Sequence, residues 1–318
     1  MTSSQRHCTL LKILCVILLC CILYYMTSLP AERLIFITEC SRINQTPEAA
    51  AYTNRTIIVI TPTYMRPERM ADFTMLSQTL KHVLNVFWLV VEDGDYRVDK
   101  VEQVMRRTGL DYAYINTTNE GLPCRGWAHR NRALDWIQQH RAQFNSNDVV
   151  YFADDDNAYD IRLFTEYIAN VKVMGVWAVG TAAGATVESP KVRNNKVVGW
   201  NVYHQPKRKF AVDMAGFAIN IDMLMKSKPR LTLHCAGKTP EDCFLQQLKM
   251  EWDEMVPFGD GTGEIFVWHR QTATREYHTV NTNGYFIEKR KKQPKLCELL
   301  RDINWMTYEK AVRVRDQA

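Results

Sequence analysis

Several things are scarce in this 318-residue chain, and each scarcity excludes something. Its nine cysteines show no close spacing of the kind that holds zinc, so a structural zinc module does not organise it. It has no internal repeat and no low-complexity tract. Excess charge is also scarce: the formal net charge is +5, partly gathered in Lys289, Arg290, Lys291, Lys292 and Lys295, which reads as a solvated basic tail and gives no case for nucleic acid as a partner. What remains is an ordinary globular composition, 46% hydrophobic and 24% charged, enough for a large core in one big domain or two.

Long apolar runs are confined to the N-terminus. Leu10 to Met26 is apolar except for Lys12 and follows Arg6 and His7. Leading positive charge favours a cytoplasmic N-terminus, so residues 1–9 read as a cytoplasmic tail, 10–26 as a signal-anchor transmembrane helix, and everything beyond as lumenal. A cleaved signal peptide is the alternative, because the segment is only slightly longer than a usual h-region. Asn44, Asn54 and Asn116 each begin an Asn-X-Ser/Thr glycosylation triplet, the first weakened by Pro47. Beyond the anchor lie Cys40, Cys124, Cys235, Cys243 and Cys297, an odd number that leaves at least one unpaired or bonded between chains. Cys40, in the stem, is the natural one.

Residues 27–55 lack sustained periodicity and read as a stem, 56–280 as the main domain, and 281–318 as a C-terminal extension with no assigned role. Within the main domain, Thr56–Thr61 and Val86–Val91 are β-branched or apolar runs with strand character, and Glu68–Leu84 and Arg130–Phe144 have helical spacing. Val149–Ala153 is another strand, followed by runs at 175–184, 210–220 and 264–270. Strands alternating with helices imply βαβ units and an α/β fold with a mainly parallel, mixed sheet flanked by helices.

Chemistry concentrates at strand ends. Asp154, Asp155 and Asp156 follow the strand at 149–153, and Asp93 ends the one at 86–91, where open α/β sheets place nucleotides. If the extended path persists, Asp154 and Asp156 share a face and Asp155 takes the other. Hard carboxylate oxygens there suit Mn²⁺ or Mg²⁺ shared with a diphosphate. Thr239 followed by Pro240, Glu241 and Asp242 starts a helix, and acids in a first turn commonly do no more than complement its dipole.

The blocks ITPTYMRPER (60–69), WLVVEDG (88–94), CRGWAHRNRALDW (124–136), VVYFADDDNAYD (149–160), VDMAGFA (212–218), PEDCFL (240–245) and VWH (267–269) occur here in order. In that order they resemble the animal β1,3-glucuronosyltransferases, glycosyltransferase family 43, over roughly residues 56 to 275. The resemblance implies a GT-A fold and a Golgi single-pass type II membrane enzyme that is usually a homodimer. It implies Mn²⁺-dependent, inverting transfer of glucuronate from UDP-glucuronate to the 3-hydroxyl of a terminal β-galactose on proteoglycan linker, glycoprotein or glycolipid glycans. Residue by residue, it places Tyr64 and Asp93 around uracil, Arg125 and Arg130 near the donor, Asp155 on ribose, Asp154 in support, Asp156 on the metal and His269 on the diphosphate. Glu188, Arg208 and Asp213 match positions that hold the acceptor sugar, and Glu241 matches the catalytic base.

Two positions depart from the family pattern. His269 is followed by Arg270 and Gln271 where the family reads threonine and arginine, and His204 stands where a tryptophan is common. Both bear on donor and acceptor preference. A metal-dependent glycosyltransferase with another UDP-sugar donor, as in the distant plant xylosyltransferases, and a non-catalytic glycan-binding homologue are the alternatives.

Overall fold

The computed structural model describes residues 55–123, 126–204, 207–236, 239–260, 262–270 and 286–288. The anchor, residues 27–54 of the stem (with Asn44, Asn54 and Cys40), Cys124, Arg125, Gln271, Cys297 and all of the C-terminal extension except 286–288 lie outside the described residues.

The main sheet has seven strands. Four run parallel in the order β3 (Asp111–Thr117), β2 (Val86–Asp93), β1 (Ile57–Thr63), β4 (Val149–Phe152). Next come β10 (Phe217–Asn220), antiparallel to both its neighbours, then β6 (Met174–Val176) and β11 (Met255–Pro257). A second sheet of short strands runs β5 (Ala158–Tyr159), β12 (Val267–Trp268), β7 (Val179–Gly180), β8 (Val187–Arg193), β9 (Lys196–Asn201).

Of the parallel strands, β2, β1 and β4 are apolar without alternation because helices cover both of their faces, whereas the edge strand β3 is half polar. Ile57, Val59, Trp88, Val90 and Tyr151 form one core with Phe73, Leu76 and Leu80 of α1 (Arg69–Leu80) and Val101 and Met105 of α2 (Asp99–Thr108). Ile58, Ile60, Leu89, Val91, Val150 and Phe152 form the other, with Trp127, Leu134 and Ile137 of α3 (Trp127–Gln139) and with Phe244 and Leu245. The strict odd and even partition of β1 follows from the pleat, which sends successive side chains to opposite faces.

Several boundaries differ from the sequence reading. The first helix stops at Leu80, and the chain turns back into β2 through Asn85 at φ 55°. The second begins at Trp127, one turn earlier than expected, because Gly126 at φ 70° starts it. The run at 175–184 divides between the two sheets: β6 lies in the first and β7 in the second, with buried Trp177 at the crossing. Only 217–220 of the run at 210–220, and 267–268 of that at 264–270, pair as strands. After Phe152 the extended path ends and Asp155 and Asp156 lie in a turn, so strict alternation does not carry through the triplet.

Candidate active site

Connections leave β1 toward β2 on one side, whereas β4 lies on the other, so a crevice opens beyond the C-terminal ends of β1 and β4. Tyr64 and Arg66 follow β1, and the aspartate triplet follows β4. Asp155 is buried and accepts both ends of the Arg66 guanidinium, at 3.0 and 2.9 Å, together with the Thr63 hydroxyl at 2.7 Å. Burial pushes its carboxyl up, and the Arg66 charge opposes that. Arg66 also donates to Asp72 at 3.0 Å and lies 4.7 Å over the Tyr64 ring, whose outer surface is exposed. Sequence reasoning gave no role to Thr63, Arg66 or Asp72. The available signal was the three-residue step from Arg66 through Arg69 to Asp72, which puts all three on one side of a helix start.

At the end of β2, Asp93 lies 3.6 Å from Nε2 of buried His129, and both its oxygens are 3.4 Å from the side-chain nitrogen of Asn119. Arg130, one turn into α3, ion-pairs with Asp154. Gly126 makes room for it: a Cβ there would meet Arg130 Nη1 at 2.7 Å and Pro62 at 3.0 Å, in a backbone conformation that side chains resist.

The pairing of β12 with β5, Trp268 opposite Ala158, brings His269 alongside the residues just after the triplet, and the Arg270 N–H donates to Asn157 Oδ1 at 3.1 Å. His269 Nδ1 lies 2.8 Å from Asp213 Oδ2. That hydrogen bond and the charges of Asp213, Asp154 and Asp156 raise the imidazole to about 9, so it is cationic at neutral pH and both ring nitrogens donate. Burial alone would raise Asp213, but His269, the Ala215 N–H at 2.9 Å and the charge of Arg130 together hold it below the usual carboxylate range.

Glu241 lies in the first turn of α4 (Pro240–Gln246), whose N-cap is Thr239, although the threonine hydroxyl makes no capping bond. The sequence left open whether burial or the helix N-terminus would govern this carboxyl. Burial wins: desolvation, with the charge of Asp213 added, raises it against its own backbone N–H, Arg208 and Arg130. On β8, buried Glu188 is carried to about 7 by desolvation, with Arg208 opposing and Asp213 and Glu241 adding. The nearest approach of Arg208 to it is 3.9 Å, and Glu188 Oε1 and Arg208 Nε and Nη2 are buried without hydrogen-bond partners. Half-buried His204 has its imidazole lowered by desolvation and by Arg208.

The residues named from the sequence therefore fall into two groups. Tyr64, Asp93 and Asp155 line one wall. Arg130, Asp154, Asp156, Glu188, Arg208, Asp213, Glu241 and His269 interact electrostatically across the rest of the crevice. Asn116, on β3, is half-buried and donates its side-chain N–H to the Gly94 carbonyl at 3.0 Å. Among the described residues no three His, Cys, Asp or Glu side chains converge to cage a metal. The acids at 154 and 156 fit instead a cation that completes its shell with water and substrate phosphates.

A disulfide joins Cys235 to Cys243, two residues past Glu241, and ties α4 to the turn Leu233–Cys235. Cys243→Ser is expected to lower unfolding free energy by about 2–3 kcal/mol, the chain-entropy value for so short a ring. Urea titration of the purified chain checks this, and a change below about 0.5 kcal/mol would show that the bond constrains little.

A parallel β3-β2-β1-β4 wing, an antiparallel strand beyond it and an acidic turn at the switch point define a nucleotide-sugar transferase of the GT-A class. The chain belongs to glycosyltransferase family 43, whose family model matches residues 76–273. It is 36% identical over 243 residues to galactosylgalactosylxylosylprotein 3-beta-glucuronosyltransferase 2 of Homo sapiens, covering 73% of each chain. Against the human 3-beta-glucuronosyltransferase 1 of the same description, identity is 36% over 233 residues, covering 68% of this chain and 69% of that one. Among solved structures, Staphylococcus aureus TarS 1–349 aligns at 15% identity with a TM-score of 0.46, over 67% of this chain and 60% of that chain, a likeness that carries nothing further. Like its named relatives, the chain is a glycosyltransferase.

Proposed function

We propose that the chain transfers glucuronate from UDP-glucuronate to the 3-hydroxyl of a terminal β-galactose, with inversion. The observation that carries this reading is Glu241: a half-buried carboxylate with a raised pKa that interacts electrostatically with Asp213, Arg208 and Arg130 across the crevice bearing the aspartate triplet. In a single displacement the acceptor oxygen bonds to the anomeric carbon as the bond to the β-phosphate oxygen breaks. The hydroxyl proton passes to Glu241, and the bonding pair leaves with UDP.

Asp156, supported by Asp154, would hold Mn²⁺, which when bound supplies positive charge to the departing diphosphate. Cationic His269, oriented by Asp213, donates to phosphate oxygen from the acceptor side, and Arg130 keeps Asp154 in place. The unfilled hydrogen-bonding capacity of Glu188 and Arg208 suits the hydroxyls of a neutral sugar, which a sugar lacking them would leave unpaired. Tyr64 offers an aromatic face to the base, and Asp93 an acceptor for its imide N–H. We place the enzyme as a homodimer in the Golgi membrane with this domain lumenal, an oxidising setting in which the Cys235–Cys243 bond persists.

Incubating the purified chain with a panel of UDP-sugars and galactose-ended acceptors tests this. UDP-glucuronate should exceed UDP-xylose, UDP-galactose and UDP-N-acetylglucosamine by at least about 10²-fold in kcat/KM, within the roughly 10⁴–10⁵ reached when a site's buried polar groups go unpaired. Preferential turnover of a neutral donor would replace this reading with that of a different UDP-sugar transferase.

A further inference from the structure

A buried ion cluster beside the crevice takes no part in the chemistry above. Arg69, the first residue of α1, is fully buried. Its Nη1 donates to both oxygens of Glu92, at 2.6 and 2.7 Å, and Glu92 also accepts from the Tyr114 hydroxyl. Its Nε donates to Glu288 Oε2 at 2.7 Å, and its Nη2 to Glu288 Oε1, so guanidinium and carboxylate meet fork to fork across 219 residues of sequence. Glu288 is itself buried, whereas Phe286 and Ile287 just before it are 47% and 58% exposed. Of these three residues, the domain buries the charged one and leaves the apolar pair outside.

Both ends of this cluster adjoin the wall assigned to the nucleotide. Arg69 follows by three residues the Arg66 that clamps Asp155 and covers Tyr64, and Glu92 directly precedes Asp93. A buried guanidinium that loses half of its acceptors must admit water or move, and moving it displaces the start of α1. We propose that Glu288 of the C-terminal segment is a positioning residue for the donor nucleotide. By holding Arg69 it fixes the start of α1 and the end of β2, and with them Tyr64, Arg66 and Asp93. The proposal rests on the reading of this wall as the uridine side of the donor site.

The test compares the full chain with Glu288→Gln, which keeps shape and removes charge, and with Glu288→Ala. UDP is titrated calorimetrically, donor and acceptor KM and kcat are measured, and amide exchange is followed over residues 62–72. The expected result is a loss of UDP affinity on the order of 5- to 10-fold, matched by donor KM, with kcat and acceptor KM within about two-fold and faster exchange over 62–72. Undiminished UDP affinity in Glu288→Gln would overturn the proposal, as would equal rises in donor and acceptor KM, which mark general loosening. If the unaltered chain binds no UDP, the donor reading itself fails. If it binds UDP and both variants bind equally well, only the role of Glu288 fails. Should Glu288→Ala not fold, Glu288→Gln decides the matter alone.

Discussion

Glu241→Gln is expected to lower kcat by about 10²–10⁴ while leaving the affinity for UDP unchanged, since that is what a positioned general base supplies. The substitution keeps size and hydrogen-bonding reach and removes only the ability to take a proton. The half-buried setting, with Asp213 adding negative charge, raises the carboxyl, so the base loses activity with acid at a higher pH than an ordinary glutamate would. A base must be deprotonated, so activity rises with pH through the Glu241 pKa. His269 is proposed to act as a cation, so activity should fall again at alkaline pH as its imidazole, raised first by the Asp213 hydrogen bond, gives up its proton. The rate profile is therefore bell-shaped, and in Glu241→Gln its acid limb should flatten while the alkaline limb persists. A fall in kcat below about ten-fold, well under the general-base range, would return Glu241 to the humbler role of complementing the helix dipole.

Three strands of the parallel wing, β2, β1 and β4, were legible because they are continuous apolar runs, a pattern that helices on both faces require, although β1 runs through Pro62 to Thr63. The edge strand β3 was missed because its sequence DYAYINT is half polar. The second sheet was not legible either, because its strands are two to seven residues long and pair across distant sequence: β12 pairs with β5, and β7 with β8. No local periodicity announces such pairing. The placement of these acids was legible in the same way, since Asp93 and Asp154 to Asp156 stand at or just past the ends of apolar strands. Their partners were not. That Arg66 clamps Asp155 and Arg130 pairs with Asp154 depends on how β1 and α3 meet β4, and that Asp213 orients His269 depends on a contact across 56 residues. The pKa of Glu241 lay beyond reach for a related reason: the helix N-terminus is visible in TPED, but the neighbouring Asp213 comes from a separate turn.

Asp156→Ala and Asp155→Ala should fail in opposite ways, although the residues are adjacent. Asp155 is buried and shares with Asp72 the neutralisation of buried Arg66, so removing it leaves the guanidinium with one of its two carboxylates and should cost about 1.5–3 kcal/mol of stability. Asp156 is only half-buried, and its removal should leave stability within about 1 kcal/mol of the unaltered chain. Its loss should appear in the chemistry instead. A cation at a leaving diphosphate contributes several kcal/mol to the transition state, so without its ligand the rate should fall by about 10³ or more. Calorimetry supplies a readout independent of turnover: Mn²⁺ should strengthen UDP binding to the unaltered chain and have no such effect on Asp156→Ala, while a chelator brings the two to the same affinity. His269, Arg130 and the uridine wall remain in both proteins, so whatever UDP binding persists reports those contacts without the metal. An Asp156→Ala protein that turns over normally, or that still binds UDP more tightly with Mn²⁺, would move the metal to Asp154 and break the division of labour within the triplet.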